Sequence, residues 1–219
     1  MKQSIEKDIQ KWHDMSKEYI EKTEKMETHS WRWGQVDSHA AMSEDNVLGN
    51  YKFIKDQYLI PNIKEKVVLE IGSYDGKWTE HMEVASQIIC SDIIVNGFNA
   101  IKRSLGWEKI NFHLCNGYSL SGINDESVDF VFCIDTLGRT DAQVIESYIR
   151  EIKRVLKDDG KACIHLPCDQ KTLSKSLGFT SLTRQQIVDF CHNAKITSFS
   201  IEEESIHHGV LLLINMIDK

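Results

Sequence analysis

Apolar residues in this chain gather into short runs separated by stretches of helical spacing. Val67–Ile71, Gln87–Asp92, Ile110–Leu114 and Lys161–Leu166 each read as a strand bounded by turn residues, and Asn124 to Asp135 leads into a further one. Between them, Asn96 to Leu105 and Asp141 to Leu156 read as helices. In the second, Val144, Ile145, Tyr148, Ile149, Ile152 and Val155 recur at helical spacing, with Asp141 as N-cap. Lys157-Asp158-Asp159-Gly160 breaks this helix before the fifth strand. Strands alternating with helices predict a largely parallel sheet covered on both faces. Thr183-Arg184-Gln185-Gln186 has the form of a capping box opening a helix over Gln185 to Asn193. Two strands in succession, Ile196 to Glu203 and Gly209 to Ile217, finish the chain as a hairpin joined through Ser205-Ile206-His207-His208. Ahead of all this, Ile5 to Met26 and Asn46 to Leu59 read as helices. The expected organisation is therefore a helical cap over 1–62 and one compact unit over 63–219.

The densest chemistry lies at the end of the first strand. Val67-Val68-Leu69-Glu70-Ile71-Gly72-Ser73-Tyr74-Asp75-Gly76-Lys77-Trp78 reads as a buried strand, a glycine-bearing turn and the start of a helix. Gly72 and Gly76 remove side chains where the backbone turns sharply or approaches a ligand. Glu70 either accepts hydrogen bonds from that ligand or holds the loop. The following helix would present free N–H groups to the same crevice. Asp92 ends the second strand about 20 residues after the glycine turn, the spacing at which a carboxylate accepts both hydrogen bonds of a ribose diol. The alternative for Asp92 is capping the next helix. Asn116-Gly117-Tyr118 follows the third strand. The Asn116 amide suits an adenine edge, and Asn-Gly is equally a strong turn pair.

The glycine turn resembles motif I, (D/E)-x-G-x-G-x-G, of the class I, Rossmann-like S-adenosylmethionine-dependent methyltransferases, with Tyr74 in place of the middle glycine. Two placements are open for the Tyr74 ring: lining the methionine end of the pocket, or leaning outward. Asn124 to Asp135 is similar to the family's D-x-S-F-D-x-V entrance to its fourth strand, where Asp129 would lock the strand rather than do chemistry. Lys157 to Gly160 with the next strand is similar to its L-K-P-G-G segment. The resemblance covers about Val67 to Leu166. It implies an α/β Rossmann-like methyltransferase sandwich: a mostly parallel seven-stranded sheet with an antiparallel C-terminal strand hairpin, plus the N-terminal helical cap. It implies S-adenosylmethionine as cofactor and S-adenosylhomocysteine as product. It places Glu70, Gly72, Ser73, Tyr74, Gly76, Trp78, Asp92, Ile93, Asn116, Gly117, Tyr118, Asp135 and Thr136 at the cofactor.

The acceptor side is less patterned. Many relatives carry a histidine or glutamate shortly after the fourth strand. This chain has Gly138-Arg139, and arginine stays protonated, so Arg139 is expected to contact substrate rather than act as base. Trp31 and Trp33 sit in a short polar segment, either as a lid over the acceptor or as an anchor for the N-terminal helix. His165, ending the fifth strand, is the candidate general base; the alternative is a histidine hydrogen-bonded at a strand end. His207 and His208, in a hairpin turn, are expected to be solvated.

Composition narrows the function classes. A net charge of −7 argues against a partner bound mainly through nucleic-acid phosphates. No apolar run is long enough for a bilayer, and the N-terminus lacks a signal-peptide core. Six scattered cysteines without C-x-x-C spacing point to buried thiols in a reducing cytoplasm, and no ligand spacing demands a metal. The expected activity is methyl transfer to a small molecule at oxygen: a sugar, a nucleotide-linked sugar or a secondary metabolite. The N-terminal helix either covers the domain or makes a homodimer. N-methylation stays open, as does a non-catalytic binding subunit, which Tyr74, Asn116 and Arg139 would mark. A nucleotide-dependent oxidoreductase is disfavoured by the terminal strand pair.

Overall fold

A computed structural model of the chain describes residues 48–216, together with Glu6, Gln10, Lys11 and Asp14. Trp31 and Trp33, nearly all of the expected helix from Ile5 to Met26, and Ile217 lie outside the described residues. Seven strands are present: β1 (Val67–Ile71), β2 (Gln87–Asp92), β3 (Ile110–Leu114), β4 (Val128–Cys133), β5 (Leu156–Leu166), β6 (Phe199–Glu202) and β7 (Val210–Asn215). They form one sheet in the order β3-β2-β1-β4-β5-β7-β6. The first five pair in parallel, and β7 returns antiparallel between β5 and β6. The order reverses between β1 and β4, so the carboxyl ends of those strands frame a crevice.

Helices cover both faces, which is why the central strands are buried on both sides. Helices α3 (Ala142–Val155) and α5 (Arg184–Asn193) pack one face, where Ile145, Ile149 and Ile152 meet Val131 and Ile164. On the other face lie α1 (Tyr51–Ile54) and α2 (Val95–Ser104), with Tyr51, Ile54, Phe98 and Ile101 packed against Val68, Phe130 and Phe132. A short helix, α4 (Thr172–Ser176), interrupts the loop after β5. Two local expectations hold in detail. The Asp129 carboxylate accepts from Val67 N at 2.8 Å and from Lys157 Nζ at 3.0 Å, tying the entrances of β1 and β4 together. Thr183 and Gln186 make both bonds of the capping box at the start of α5.

Four expectations need correction. No full helix follows the glycine turn, only one 3-10 turn over Thr79–His81. Trp78, Met82 and Ala85 are all buried there, and Ser86 N already bonds Lys66 O to enter β2, which leaves room for a single turn. Among its described residues, the helix expected over Asn46 to Leu59 is α across Tyr51–Ile54, then a π turn (Lys55–Leu59) and a 3-10 turn (Ile60–Asn62), because Gly49 is committed to a bridge with Ile206. Lys157 to Gly160 does not separate α3 from β5. Val128 pairs with Leu156 and Phe130 with Lys161, so these four residues bulge within the strand while Lys157 reaches back to Asp129. Finally, His208 is not a solvated turn residue, as described below. The six cysteines are free, five of them buried. Among the described residues, no helix is long and apolar enough to cross a membrane.

Candidate active site

The crevice is built where the β1 turn meets the ends of β2 and β4. Gly72 lies at φ +77°, and a Cβ there would stand 2.0 Å from Thr136 Oγ1, so only glycine lets the two strand ends close. Thr136 in turn lies 3.1 Å from Ile71 O, within donating distance. Tyr74 adopts φ +39°, the left-handed backbone that the family's middle glycine would supply. Its N–H donates to Asp92 Oδ2 at 2.8 Å, and Ile94 N donates to Oδ1 at 3.1 Å. Burial pushes the Asp92 carboxyl up to about 6 against these backbone donors. Asp92 therefore braces the glycine turn, and a carboxylate with about four acceptor positions still has capacity for a ligand.

Glu70 stands beneath the turn, 2 % exposed, with Thr79 Oγ1 donating to Oε2 at 2.5 Å. Burial raises its carboxyl from 4.5 to about 8. The folded protein thus keeps a proton that the unfolded chain releases above about pH 4.5. Stability conferred at this position falls as pH rises from about 4.5 to about 8 and levels off beyond, at roughly 1.4 kcal/mol per pKa unit. Glu70→Gln removes that slope. Chemical denaturation at pH 5 and pH 8 should show the variant gaining on the parent at the higher pH; an equal difference at both would mean Glu70 ionises freely.

Other expected cofactor residues fall into three groups. Ser73, Gly76 and Ile93 belong to the same crevice backbone, Gly76 N bonding Ser73 O at 2.8 Å. Trp78 does not face the crevice: its indole is buried edge-on between Tyr51 and Phe132, with centroids at 5.9 and 5.0 Å. Asn116 folds its amide onto its own loop, accepting from Tyr118 N and Ser119 N and donating to Ser119 Oγ. Gly117 (φ +82°) completes this turn, and Tyr118 is exposed.

At the end of β4 the fold assembles a cluster that no local spacing announced. Asp135, in left-handed backbone at φ +58°, accepts from Tyr51 Oη at 2.6 Å on Oδ2. Its Oδ1 lies 2.7 Å from His208 Nε2 and 3.1 Å from His165 Nδ1. The other nitrogen of His208, Nδ1, donates to Leu48 O at 2.8 Å. Burial alone would raise the Asp135 carboxyl, but the two histidines outweigh it and hold it well below the usual carboxylate range. Burial lowers His165, partly opposed by Asp135. Lys77 sits 4.6 Å above the Tyr51 ring, its own pKa lowered by burial.

His165 is 0 % exposed, with its Nδ1 3.1 Å from Asp135 Oδ1, so its ring offers no surface to an acceptor as the expected general base. Arg139 is exposed, donates to Leu177 O at 3.1 Å and lies 5.1 Å from the Phe179 ring. Phe179, from the loop after β5, in turn covers His208 and His165, with centroids at 5.5 and 6.3 Å. Sequence reasoning missed Tyr51, Phe179, His208 and Gly97. Only Gly97 left a local trace, as a glycine inside an amphipathic helix. A Cβ there would meet Tyr74 O at 1.9 Å, so Gly97 lets α2 press against the glycine turn.

Comparison with known proteins converges on this geometry. Residues 69–164, spanning the crevice strands, match the family described as a methyltransferase domain. An S-adenosylmethionine-dependent methyltransferase from Methanosarcina mazei shares the fold at 18 % identity and TM-score 0.59, over 74 % of this chain and 98 % of that one. Another from Aquifex aeolicus does so at 14 % identity and TM-score 0.54, over 82 % and 100 %. No curated protein matches the chain. A methyltransferase domain matched over residues 69–164 thus lies on a seven-stranded sheet with the Rossmann-like topology of the S-adenosylmethionine-dependent methyltransferases.

Proposed function

We propose that the protein transfers the methyl group of S-adenosylmethionine to an oxygen of a small-molecule acceptor. The observation that carries this reading is the juxtaposition of the Gly72–Asp92 crevice with the polar Asp135 cluster, joined through Thr136 packed on Gly72. The crevice residues fit the cofactor: a close-approach glycine, a left-handed turn and an acid at the β2 end suit a nucleoside with a ribose diol. Bound S-adenosylmethionine supplies an electrophilic methyl group on a positively charged sulfur.

The chain's own residues have separable tasks in this reading. Asp92 accepts from the ribose hydroxyls while bracing Tyr74 N. Glu70 and Thr79 keep the turn rigid from below. Asp135 is the cluster member with surface, its side chain 19 % exposed against 0 % for His165 and 2 % for His208. It is placed to orient an acceptor hydroxyl, with Phe179 and Arg139 bordering the acceptor side. Alignment of nucleophile and methyl carbon can supply much of the acceleration. The acidic surface supports a small acceptor over a nucleic acid.

The test is a methyl-transfer screen with labelled cofactor against sugars, nucleotide-linked sugars, phenols and, as a contrast, small amines. Transfer to a hydroxyl compound supports the reading; transfer confined to amines overturns the oxygen assignment. Asp92→Ala should weaken S-adenosylhomocysteine binding by about 1.5–3 kcal/mol, the worth of a charge-assisted hydrogen bond. Unchanged affinity by calorimetry would remove Asp92 from the site.

A further inference from the structure

One contact around Asp135, that of His165 Nδ1 with the carboxylate, is not satisfied by protons alone. Both nitrogens of His208 face acceptors, Leu48 O and Asp135 Oδ1, so a second proton must sit between His208 and Asp135. His165 Nδ1 faces an acceptor and a donor at once: Asp135 Oδ1 at 3.1 Å and Asp135 N at 3.2 Å. If Nδ1 carries a proton, it opposes the Asp135 N–H; if it does not, its lone pair opposes the carboxylate. Its Nε2 is buried close to the backbone of His208 and Gly209.

The geometry points to a divalent transition-metal ion bound by Asp135 Oδ1, His165 Nδ1 and His208 Nε2. Ligating atoms of these three residues lie within 4.8 Å of one another, close enough to share one ion. A cation in place of the shared proton resolves the contacts of Asp135 Oδ1 with His208 Nε2 and His165 Nδ1. His208 becomes a neutral ring with Nδ1–H on Leu48 O and the Nε2 lone pair on the metal. Such a bond from the non-ligating nitrogen to a backbone carbonyl is what fixes ring orientation in histidine metal sites. His165 turns its Nδ1 lone pair to the same ion and keeps its proton on Nε2. Asp135 binds through Oδ1, while the Tyr51 hydroxyl holds Oδ2 and sets the carboxylate plane. Two imidazoles and one carboxylate suit zinc, iron, cobalt or manganese, and leave further coordination positions.

The role of the ion rests on the methyl-transfer reading above; its binding does not. The positions left over take an acceptor hydroxyl, ideally from a vicinal diol or an α-hydroxy carbonyl that chelates. Coordination lowers the hydroxyl's pKa, and its proton leaves to water. The oxygen then forms a bond to the methyl carbon as the carbon–sulfur bond breaks, and the electron pair stays on sulfur, giving the neutral thioether. No redox change is involved.

The test is titration of chelator-treated full-length protein with Co²⁺, Zn²⁺ and Mn²⁺, read by calorimetry and, for Co²⁺, by visible absorption. The expected result is one equivalent bound, with d–d bands from a nitrogen- and oxygen-ligated ion. Asp135→Asn and His208→Gln should abolish the bands. Tyr51→Phe should weaken affinity on the order of tenfold. His207→Gln, altering the exposed neighbour, should leave binding unchanged. Thermal unfolding of each variant shows whether lost binding reflects lost fold. No stoichiometric uptake by parent protein that unfolds cooperatively would overturn the proposal and leave the cluster a proton-sharing pair. Failure to bind S-adenosylhomocysteine would sink the methyl-transfer reading separately, without touching the metal result.

Discussion

Asp135→Ala should lower the melting temperature by roughly 10 °C, the largest stability loss expected from any side chain in the site. The carboxylate accepts from Tyr51 and faces two histidines that are 0 % and 2 % exposed. Its removal strands three buried polar groups, whatever cation stands between them. Breaking one partner of such a buried arrangement costs about 3–5 kcal/mol. For a domain of this size each kcal/mol moves the melting point by about 2–4 °C. Backbone strain adds to the loss, because residue 135 sits at φ +58°, which alanine adopts reluctantly. Asp135→Asn is the informative companion. Asparagine tolerates left-handed backbone and still accepts from Tyr51, so its loss should be distinctly smaller. Equal melting points for parent and Asp135→Ala would mean that the cluster contributes nothing to the fold.

Gly97→Ala should destabilise the protein and weaken cofactor binding, against what helix propensity alone indicates. In an exposed helix the change would stabilise by about 1 kcal/mol. Here the new methyl would lie 1.9 Å from Tyr74 O and 2.4 Å from its carbonyl carbon. Both are backbone atoms and cannot swing aside, so either α2 or the glycine turn must shift. The turn carries Tyr74 N, which bonds Asp92, so a shift there reaches the carboxylate proposed to hold the ribose. A displacement of about 1 Å in a positioned site can cost a hundredfold in rate. We expect at least a tenfold weaker affinity for S-adenosylhomocysteine. A more stable variant with unchanged affinity would show that packing between α2 and the turn is loose.

What the sequence made legible follows the range of the forces involved. Strand runs and helical spacing are local, so all seven strands, α3 and the Thr183 capping box were readable from neighbouring residues. Asp129 was readable because its strand-entrance segment is a family pattern. The crevice was readable for the same reason: Gly72 and Asp92 mark the ends of adjacent strands at a spacing the fold requires. The Asp135 cluster was not. Its members are joined across 84 residues to Tyr51 and 73 to His208, and the antiparallel return of β7 beside β5, with the Gly49–Ile206 bridge, brings them together. His208 looked like an exposed turn residue because its sequence neighbours are polar. Its burial comes from the segment at Leu48 and Gly49, which bridges to Ile206 and closes over it. The single turn after Trp78 was misread as a full helix because the glycine pattern usually precedes one. Here Trp78 and Thr79 are both drawn inward, to Phe132 and Glu70, which fixes the chain before helical spacing can develop.

The bracing of Tyr74 by Asp92 explains how a tyrosine can stand where relatives have glycine. The left-handed backbone at φ +39° is held by a charge-assisted bond rather than by the freedom of glycine. The turn thereby keeps a left-handed shape although it carries a side chain, and the proposed function requires that shape to admit a nucleoside cofactor.

That claim is tested most directly by calorimetric titration of the purified protein with S-adenosylhomocysteine, with NAD as control. The account predicts one molecule of S-adenosylhomocysteine bound per chain and no measurable heat from NAD. Binding of NAD, or of neither compound by protein that unfolds cooperatively, would contradict it and mark the Tyr74 turn as closed to the cofactor.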